Sequence, residues 1–335
     1  MRGRGPGRSR PPRRSNGQGR GAVLRLVRMT VANADSRDLS RRAIWVHLLL
    51  YPTHTLPTAA APVIVGVGLA IHSGALAPLP ATLAFLSSWF IHIAGVLTDN
   101  HELLRRYPGV SEHPELVQAL REGALKLWHL KAAIAVCLLL AVVPAPYFLA
   151  IGGPPVIAIG IIGMIASLGY AASPFAYTRV GLEDPVFFVM FGVVAPAATY
   201  YIQYPSPLPL MAFIVGLPVG ALVTNVLLID DLRDHEFDAV KGWRTGTVRF
   251  GVRWTRSEFT ILMAFAYAAP FVFWLAAGFT ASVLLPLVTL PLGYAITRSV
   301  CASHARMQLV PMTARMSGLT LIYSLLFAIG IAYRS

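Results

Sequence analysis

An all-α membrane protein, built as a bundle of nine transmembrane helices, is the fold class that this sequence predicts. Three observations support it. Of the 335 residues, 56% are hydrophobic and only 13% are charged, whereas a soluble domain carries about 25% charged residues. The mean hydropathy is +0.62. Many apolar runs also approach or exceed the roughly 17–25 residues that a helix needs to cross a bilayer.

Polar or proline-rich stretches divide the apolar sequence into nine segments, and we expect each to form one membrane span. Pro52, Pro57 and Pro62 fall inside the first segment, so its beginning is expected to be kinked or broken. The sixth segment leads directly into a run of aspartates. The nine spans are expected at residues 43–71, 81–97, 128–143, 155–170, 186–202, 210–229, 259–277, 283–296 and 319–333.

Basic residues indicate how the chain is oriented in the membrane. Twelve of the 28 Lys and Arg residues lie before residue 43, in a basic tail that begins with an Arg/Gly/Pro-rich stretch, residues 1–21, and that we expect to be disordered. The positive-inside rule places this N-terminus and the charged loops in the cytoplasm. Nearly all of the remaining charge lies in alternate loops, at residues 99–131, 173–184, 230–258 and 298–316.

The chain therefore divides into a disordered basic tail, residues 1–42, and a transmembrane domain, residues 43–335. We expect a multi-pass integral protein of the bacterial plasma membrane, surrounded by membrane lipid. The net charge of +13 follows the loop topology, so no nucleic-acid partner is expected. No segment indicates an obligate protein partner or a cleavable signal peptide. Whether translation starts at Met1 or at Met29 stays open.

An aspartate-rich segment follows the sixth span, with Asp230, Asp231, Asp234 and Asp238. In a helix, the first, third and fourth of these residues are spaced i, i+4 and i+8 and share one face. Like charges at this spacing repel, so a cation is expected beside them. Clustered carboxylates suit Mg²⁺, which binds one or two of them together with water and substrate phosphates.

A shorter acidic cluster, Asp99 and Glu102, follows the second span at the same predicted side of the membrane. Two such clusters on different helices of a bundle can hold Mg²⁺ ions between them and leave coordination positions for a diphosphate. Charge-assisted hydrogen bonds to phosphate oxygens are expected from Arg233, Lys241 and Arg244. The alternative interpretation is a solvated loop in which the acids pair with the arginines.

These motifs resemble the UbiA superfamily of intramembrane prenyltransferases. The main match is Arg233-Asp234-x-x-x-Asp238-x-x-x-Gly242-x-Arg244-Thr245, followed by Val248-Arg249-Phe250-Gly251. It is most similar to the branch that prenylates dihydroxynaphthoate or homogentisate. A second match runs from Gly169-Tyr170-x-x-x-Pro174 to Gly181-Leu182-x-Asp184, although the family pattern ends in Gly-Glu where this chain has Glu183-Asp184.

The chain departs from the family at the first acidic motif, where the family has Asn-Asp-x-x-Asp and a further Asp four residues later. Here Glu102 replaces an aspartate and Arg106 occupies the later position. The resemblance then implies a single metal ion at this motif, or phosphate binding by Arg105 or Arg106. The second motif has Asp230-Asp231 where the related branch often has asparagines, so acidic residues have moved between the two sites.

The resemblance implies a nine-helix, Mg²⁺-dependent prenyltransferase acting on an isoprenyl diphosphate and a small aromatic or quinone-precursor acceptor. Metal binding would fall to the six acidic residues of the two motifs. Asp99, Glu102, Asp234 and Asp238 would be catalytic, with Tyr170 placed to stabilise a carbocation. Arg179 joins the expected diphosphate-binding residues. Two alternatives stay open: a membrane terpene cyclase that needs no acceptor, and a cation or solute transporter, which the uncharged spans disfavour.

Overall fold

In a computed structural model, the described part of the chain is entirely helical between its turns and loops. The described residues are 55–333, apart from 108–112, 173, 175 and 206, together with Ile44, Trp45 and Leu48. The predicted basic tail, residues 1–42, lies outside them, as does most of the first half of the first predicted span.

Fourteen α-helices, numbered α1 to α14 in chain order, make up the described bundle. A π-helical segment, Met190–Val194, joins α7 to α8, and 3₁₀ segments precede α7 and α13, at Tyr177–Arg179 and Ala281–Thr289. The α-helices are Thr55–His72, Pro78–Arg106, Pro114–Arg121, Leu127–Val142, Ala145–Gly152, Pro154–Gly169, Glu183–Val189, Ala195–Gln203, Leu210–Ile214, Leu217–Lys241, Gly246–Phe250, Val252–Ala276, Leu290–Ala302 and Arg306–Ala332.

These helices supply the predicted membrane spans. Within the described residues, seven helical segments are long and apolar enough to cross a membrane, and α1 and α6 are shorter apolar helices at the two remaining predicted positions. Large apolar side chains point outward, such as Leu275 and Val288, which are 73% and 75% exposed. An apolar outer surface suits lipid rather than water. The predicted all-α polytopic membrane fold is confirmed.

Helix α10 is the central helix of the bundle. Its side chains from Pro218 to Ile229 are all buried, and its neighbours include α1, α7, α12 and α14. It passes the π-helical segment at a glycine pair: a Cβ on Gly220 would lie 2.6 Å from the Cα of Gly192. Only glycine permits this approach, which brings the start of α7 against the acidic end of α10. Gly242, with a φ of 77°, then ends the helix in the left-handed conformation.

The charged segments meet at one end of the bundle, as the alternation of the loops predicts. The Tyr107 hydroxyl donates to the Lys241 carbonyl at 2.7 Å, which ties the end of α2 to the end of α10. The Arg306 Nε lies 3.0 Å from Asp234 Oδ1, which ties the start of α14 to the same helix. The two acidic motifs are therefore neighbours in space. We call this end of the bundle the charged end.

Candidate active site

A cavity of about 610 Å³ opens among α2, α6, α7, α8 and α10. Its volume lies within the range of small-molecule sites. Most of its wall is apolar, with side chains such as Ile91, Met164, Phe187 and Phe191. Polar side chains gather where it reaches the charged end, and seven of the predicted site residues line it: Asp99, Tyr170, Asp230, Asp231, Arg233, Asp234 and Asp238.

The carboxylates of α10 are partly neutralised by basic side chains of the protein itself. Arg233 bridges two of them, at 2.6 Å from Asp230 and 2.5 Å from Asp234, and Arg306 contacts Asp234 from α14. The Lys241 Nζ lies 2.8 Å from Asp238 Oδ1. The sequence predicts a cation beside this helix face because its carboxylates repel one another. These basic side chains meet part of that requirement, which keeps the helix regular through its acidic turns.

The two acidic residues of the first motif have different surroundings. Asp99 lines the cavity, whereas Glu102 is not among its lining residues in the described structure. Both oxygens of Glu102 accept from basic neighbours: Oε2 accepts from Arg105 Nη2 at 2.7 Å and from Arg106 Nε at 2.8 Å, and Oε1 accepts from Arg105 Nε at 3.1 Å. His101 Nδ1 is 3.3 Å from the same carboxylate. The two arginines that the resemblance associates with phosphate therefore bind Glu102 in this structure. The expected roles of all three residues stay predictions.

Tyr170 belongs to an aromatic wall beside the acidic residues. Its ring meets Tyr177 edge-on, with the centroids 5.8 Å apart, and Phe187 at 5.7 Å. Burial, together with the nearby Glu183 carboxylate, raises the pKa of Tyr177 well above its usual value. Tyr177 therefore stays protonated and donates its hydrogen bond to the Ala166 carbonyl at 2.9 Å. The wall presents neutral π-faces, which suit a developing carbocation.

The remaining basic residues predicted to bind diphosphate lie around the charged end, outside the cavity lining of the described structure. Arg179 ends the 3₁₀ turn before α7. Arg244 is exposed, and its backbone N–H lies 3.4 Å from the Thr178 carbonyl. The Lys241 side chain is fully buried against Trp243, with its Nζ 3.9 Å from the ring centroid. Their roles toward diphosphate stay predictions.

Sequence reasoning missed one group of carboxylates, formed by Glu183, Asp184 and Asp231. One oxygen from each lies within 4.8 Å of the others, a geometry that could hold a metal ion. Glu183 and Asp231 are 0% and 4% exposed. The departure from the family pattern at Glu183-Asp184 marked the position, but only the packing of α7 against α10 shows what these residues face. We call these three residues the buried triad.

Comparison with known proteins identifies the family. The model of the UbiA prenyltransferase family matches residues 59–316, well over half of the chain. The chain belongs to the UbiA prenyltransferase family. The predicted family and enzyme class are thereby confirmed.

Relatives of this UbiA-family chain include bacterial proteins named 1,4-dihydroxy-2-naphthoate octaprenyltransferase. The Haemophilus influenzae protein is 30% identical over 173 residues, which cover 52% of this chain and 56% of that protein. The chain thus spans little more than half of that relative. The Escherichia coli protein is 25% identical, covering 64% and 71% of the two chains. The Mycobacterium tuberculosis protein is 29% identical, covering 83% and 94%.

Solved structures of UbiA homologs share the fold. A homolog from Aeropyrum pernix superposes with a TM-score of 0.61 at 16% identity, covering 84% of this chain and 97% of that chain. A homolog from Archaeoglobus fulgidus, bound to GPP and Mg²⁺, gives a TM-score of 0.56 at 19% identity, covering 84% and 99%. At these identities the likeness concerns the architecture. It supports the UbiA bundle that the described helices form.

Proposed function

We propose that this protein transfers a polyprenyl group from its diphosphate to a dihydroxynaphthoate-type aromatic acceptor. The observation that carries the proposal is the cavity itself, which is apolar along its length and acidic at one end. A prenyl diphosphate has the matching shape, with an apolar chain and a charged head. The relatives' names and the diphosphate in the Archaeoglobus structure favour the same substrate class.

Magnesium fits the residues at the acidic end. Carboxylate oxygens are the donors that Mg²⁺ prefers, and Asp99 and Asp238 line this end together with Asp234. These three side chains would hold it. When bound, Mg²⁺ would neutralise the diphosphate and so favour its departure. Arg233 and Arg306, which now contact Asp234, are placed to offer charge-assisted hydrogen bonds to the same phosphate oxygens.

The reaction then balances without a redox partner. The allylic carbon–oxygen bond breaks, and its electron pair leaves with the diphosphate. A ring carbon of the acceptor forms the new carbon–carbon bond, and the ring releases a proton to regain its aromaticity. Tyr170 and Phe187 border the region where positive charge develops on the allyl group. The apolar wall excludes water, which would otherwise capture that charge.

We further propose that the protein lies in a bacterial plasma membrane with the charged end toward the cytoplasm. The polar substrates would enter there, and the prenyl chain would extend into the apolar part of the cavity. The positive-inside distribution of the loops supports this orientation.

The decisive experiment incubates the purified protein with Mg²⁺ and geranylgeranyl diphosphate, with and without 1,4-dihydroxy-2-naphthoate. A prenylated naphthoate that forms only with both substrates, and is lost on chelation, is the expected result. A cyclic hydrocarbon formed without the acceptor would instead identify a terpene cyclase. Diphosphate left intact with every acceptor and chain length tested would contradict both.

Variants of α10 test whether the diphosphate site lies at its acidic end. We expect Asp234→Asn and Asp238→Asn each to lower kcat/KM by roughly 100-fold, the scale for losing a charge-stabilising group. Glu236→Gln is the matched control, because Glu236 is an exposed acid on the same helix. Wild-type activity in Asp234→Asn and Asp238→Asn would rule out the assignment of the diphosphate site to this end of α10.

A further inference from the structure

The buried triad joins three parts of the fold. Glu183 and Asp184 begin α7, and Asp231 projects from α10. The segment after α10 closes the third side: the Gly246 N–H donates to Glu183 Oε1 at 3.0 Å. A Cβ on Gly246 would lie 2.8 Å from Asp184 Oδ2, so this position allows only a glycine-sized approach without displacing the carboxylate. The triad is thus held between α7, α10 and the segment that follows α10.

One oxygen of each triad residue has no hydrogen-bond partner within the described structure, namely Glu183 Oε2, Asp184 Oδ1 and Asp231 Oδ2. No basic side chain of the described residues forms an ion pair with any of the three, unlike Asp230, Asp234 and Asp238 of α10. The nearby Arg249 donates to the Val180 carbonyl at 3.1 Å. Glu258 adds further negative charge near Asp184. Burial of such oxygens costs several kcal/mol each unless a partner is supplied.

The three carboxyl groups do not share protons with one another in the described structure. Carboxylic acids that share protons form short hydrogen bonds of about 2.5–3.0 Å, and no hydrogen bond links the three side chains in the described structure. Three oxygens within 4.8 Å of one another can instead be bridged by one cation, since cation–oxygen bonds of roughly 2.0–2.6 Å place ligand atoms at most about twice that distance apart.

We propose that the buried triad is a divalent-cation site, distinct from the set Asp99, Asp234 and Asp238 that would hold the Mg²⁺ of the diphosphate, and filled without substrate. Its ligands are all hard oxygens, which select Mg²⁺, Mn²⁺ or Ca²⁺ over thiophilic metals. Glu183 and Asp184 do not line the cavity in the described structure, whereas Asp231 does. The cation would therefore lie behind the cavity wall. It would fix the acidic turn of α10 against α7 and so position the substrate-facing aspartates.

Binding of Mn²⁺ to the full-length protein in detergent, measured by electron paramagnetic resonance, tests the proposal without any diphosphate present. The wild type is expected to bind one Mn²⁺ per chain under these conditions. Asp231→Asn and Glu183→Gln are expected to lose this ion, whereas Asp234→Asn keeps it, because Asp234 is not one of the three carboxylates of the buried triad. No bound Mn²⁺, or equal binding in all variants, would overturn the proposal.

Two further measurements keep the test informative if a variant misfolds. Gly246→Ala retains all three carboxylates but crowds Asp184, and we expect it to weaken Mn²⁺ binding by about tenfold, the scale for disturbing the surroundings of a metal ligand. Removal of the metal with EDTA should lower the Tm of the wild type. An unchanged Tm together with unweakened Mn²⁺ binding by Gly246→Ala would again overturn the proposal.

Addition of a diphosphate separates this site from the proposed activity. A non-reactive prenyl diphosphate analogue should bring extra Mn²⁺ to the wild type and to the triad variants, but not to Asp234→Asn. Failure of that increase would contradict the proposed diphosphate site and leave the substrate-independent ion in place. Loss of only the substrate-independent ion in the triad variants supports the second site.

Discussion

Arg106 makes the two acidic motifs unequal. It stands where the family has an aspartate, and its Nε lies 2.8 Å from Glu102 Oε2. Arg105 donates to both oxygens of the same carboxylate. Glu102 is not among the residues that line the cavity in the described structure, and both of its oxygens accept from these guanidinium groups. In the described structure, Asp99 is therefore the acid of this motif that lines the cavity.

We accordingly expect Asp99→Asn to raise the Mg²⁺ concentration for half-maximal activity by about tenfold or more, the scale for altering a metal site. Glu102→Gln should raise it much less, because its oxygens contact Arg105 and Arg106. Mg²⁺ titrations of prenyl transfer with both variants measure the difference. Equal shifts in this Mg²⁺ concentration would indicate that Glu102 also binds the metal, as the sequence alone predicts.

At the scale of helices, the sequence predicts positions well and ends less well. Hydropathy places the sixth span at residues 210–229, yet α10 continues to Lys241. The acidic turns persist because Arg233, Arg306 and Lys241 pair with the aspartates. Arg233 and Lys241 lie close in sequence to the aspartates with which they pair, so the spacing predicts these two pairs. Arg306 is 72 residues away from Asp234, so only the folded bundle reveals it.

The buried triad could not be predicted from the sequence for the same reason. Glu183 and Asp231 meet because α7 and its π-helical continuation pack tightly on α10 through Gly192 and Gly220. Helical periodicity shows which residues share a face of one helix, but it does not show which faces of two helices meet. The acidic motif on a single helix was therefore predictable, and the carboxylate group shared by two helices was not.

We expect Gly220→Ala to destabilise the protein by about 1–3 kcal/mol, the usual cost of overpacking. Its Cβ would lie 2.6 Å from the Gly192 Cα, and backbone atoms cannot swing aside. Thermal unfolding in detergent measures the change. Gly318→Ala is the matched control, since that helical glycine has no atom within 4 Å of a built Cβ. It should be neutral or stabilising, because alanine favours helix. Equal Tm values for the two variants would contradict a tight α7–α10 contact.

At the scale of the whole molecule, the cavity extends through the bundle and is not confined to the charged end. Its lining reaches from Asp238 to Phe148 and Ile202, which lie near the uncharged loops at the opposite end. A prenyl chain bound by its diphosphate at the acidic end would run toward these residues. The wall far from the aspartates is then expected to determine how long a chain the protein accepts, while the aspartates determine whether it reacts.

Ala198 offers a test of this division, because it lines the cavity from α8. We expect Ala198→Phe to block the deep part and to lower kcat/KM for geranylgeranyl diphosphate by about tenfold or more relative to geranyl diphosphate, a typical scale for steric discrimination in a pocket. Ala158→Phe makes the same change on an exposed position of α6 and should leave that ratio unaltered. An unaltered ratio in Ala198→Phe would mean that the chain lies elsewhere. A loss with both diphosphates alike would instead indicate damage to the acidic end, so the ratio is the quantity that reports the path of the prenyl chain through the bundle.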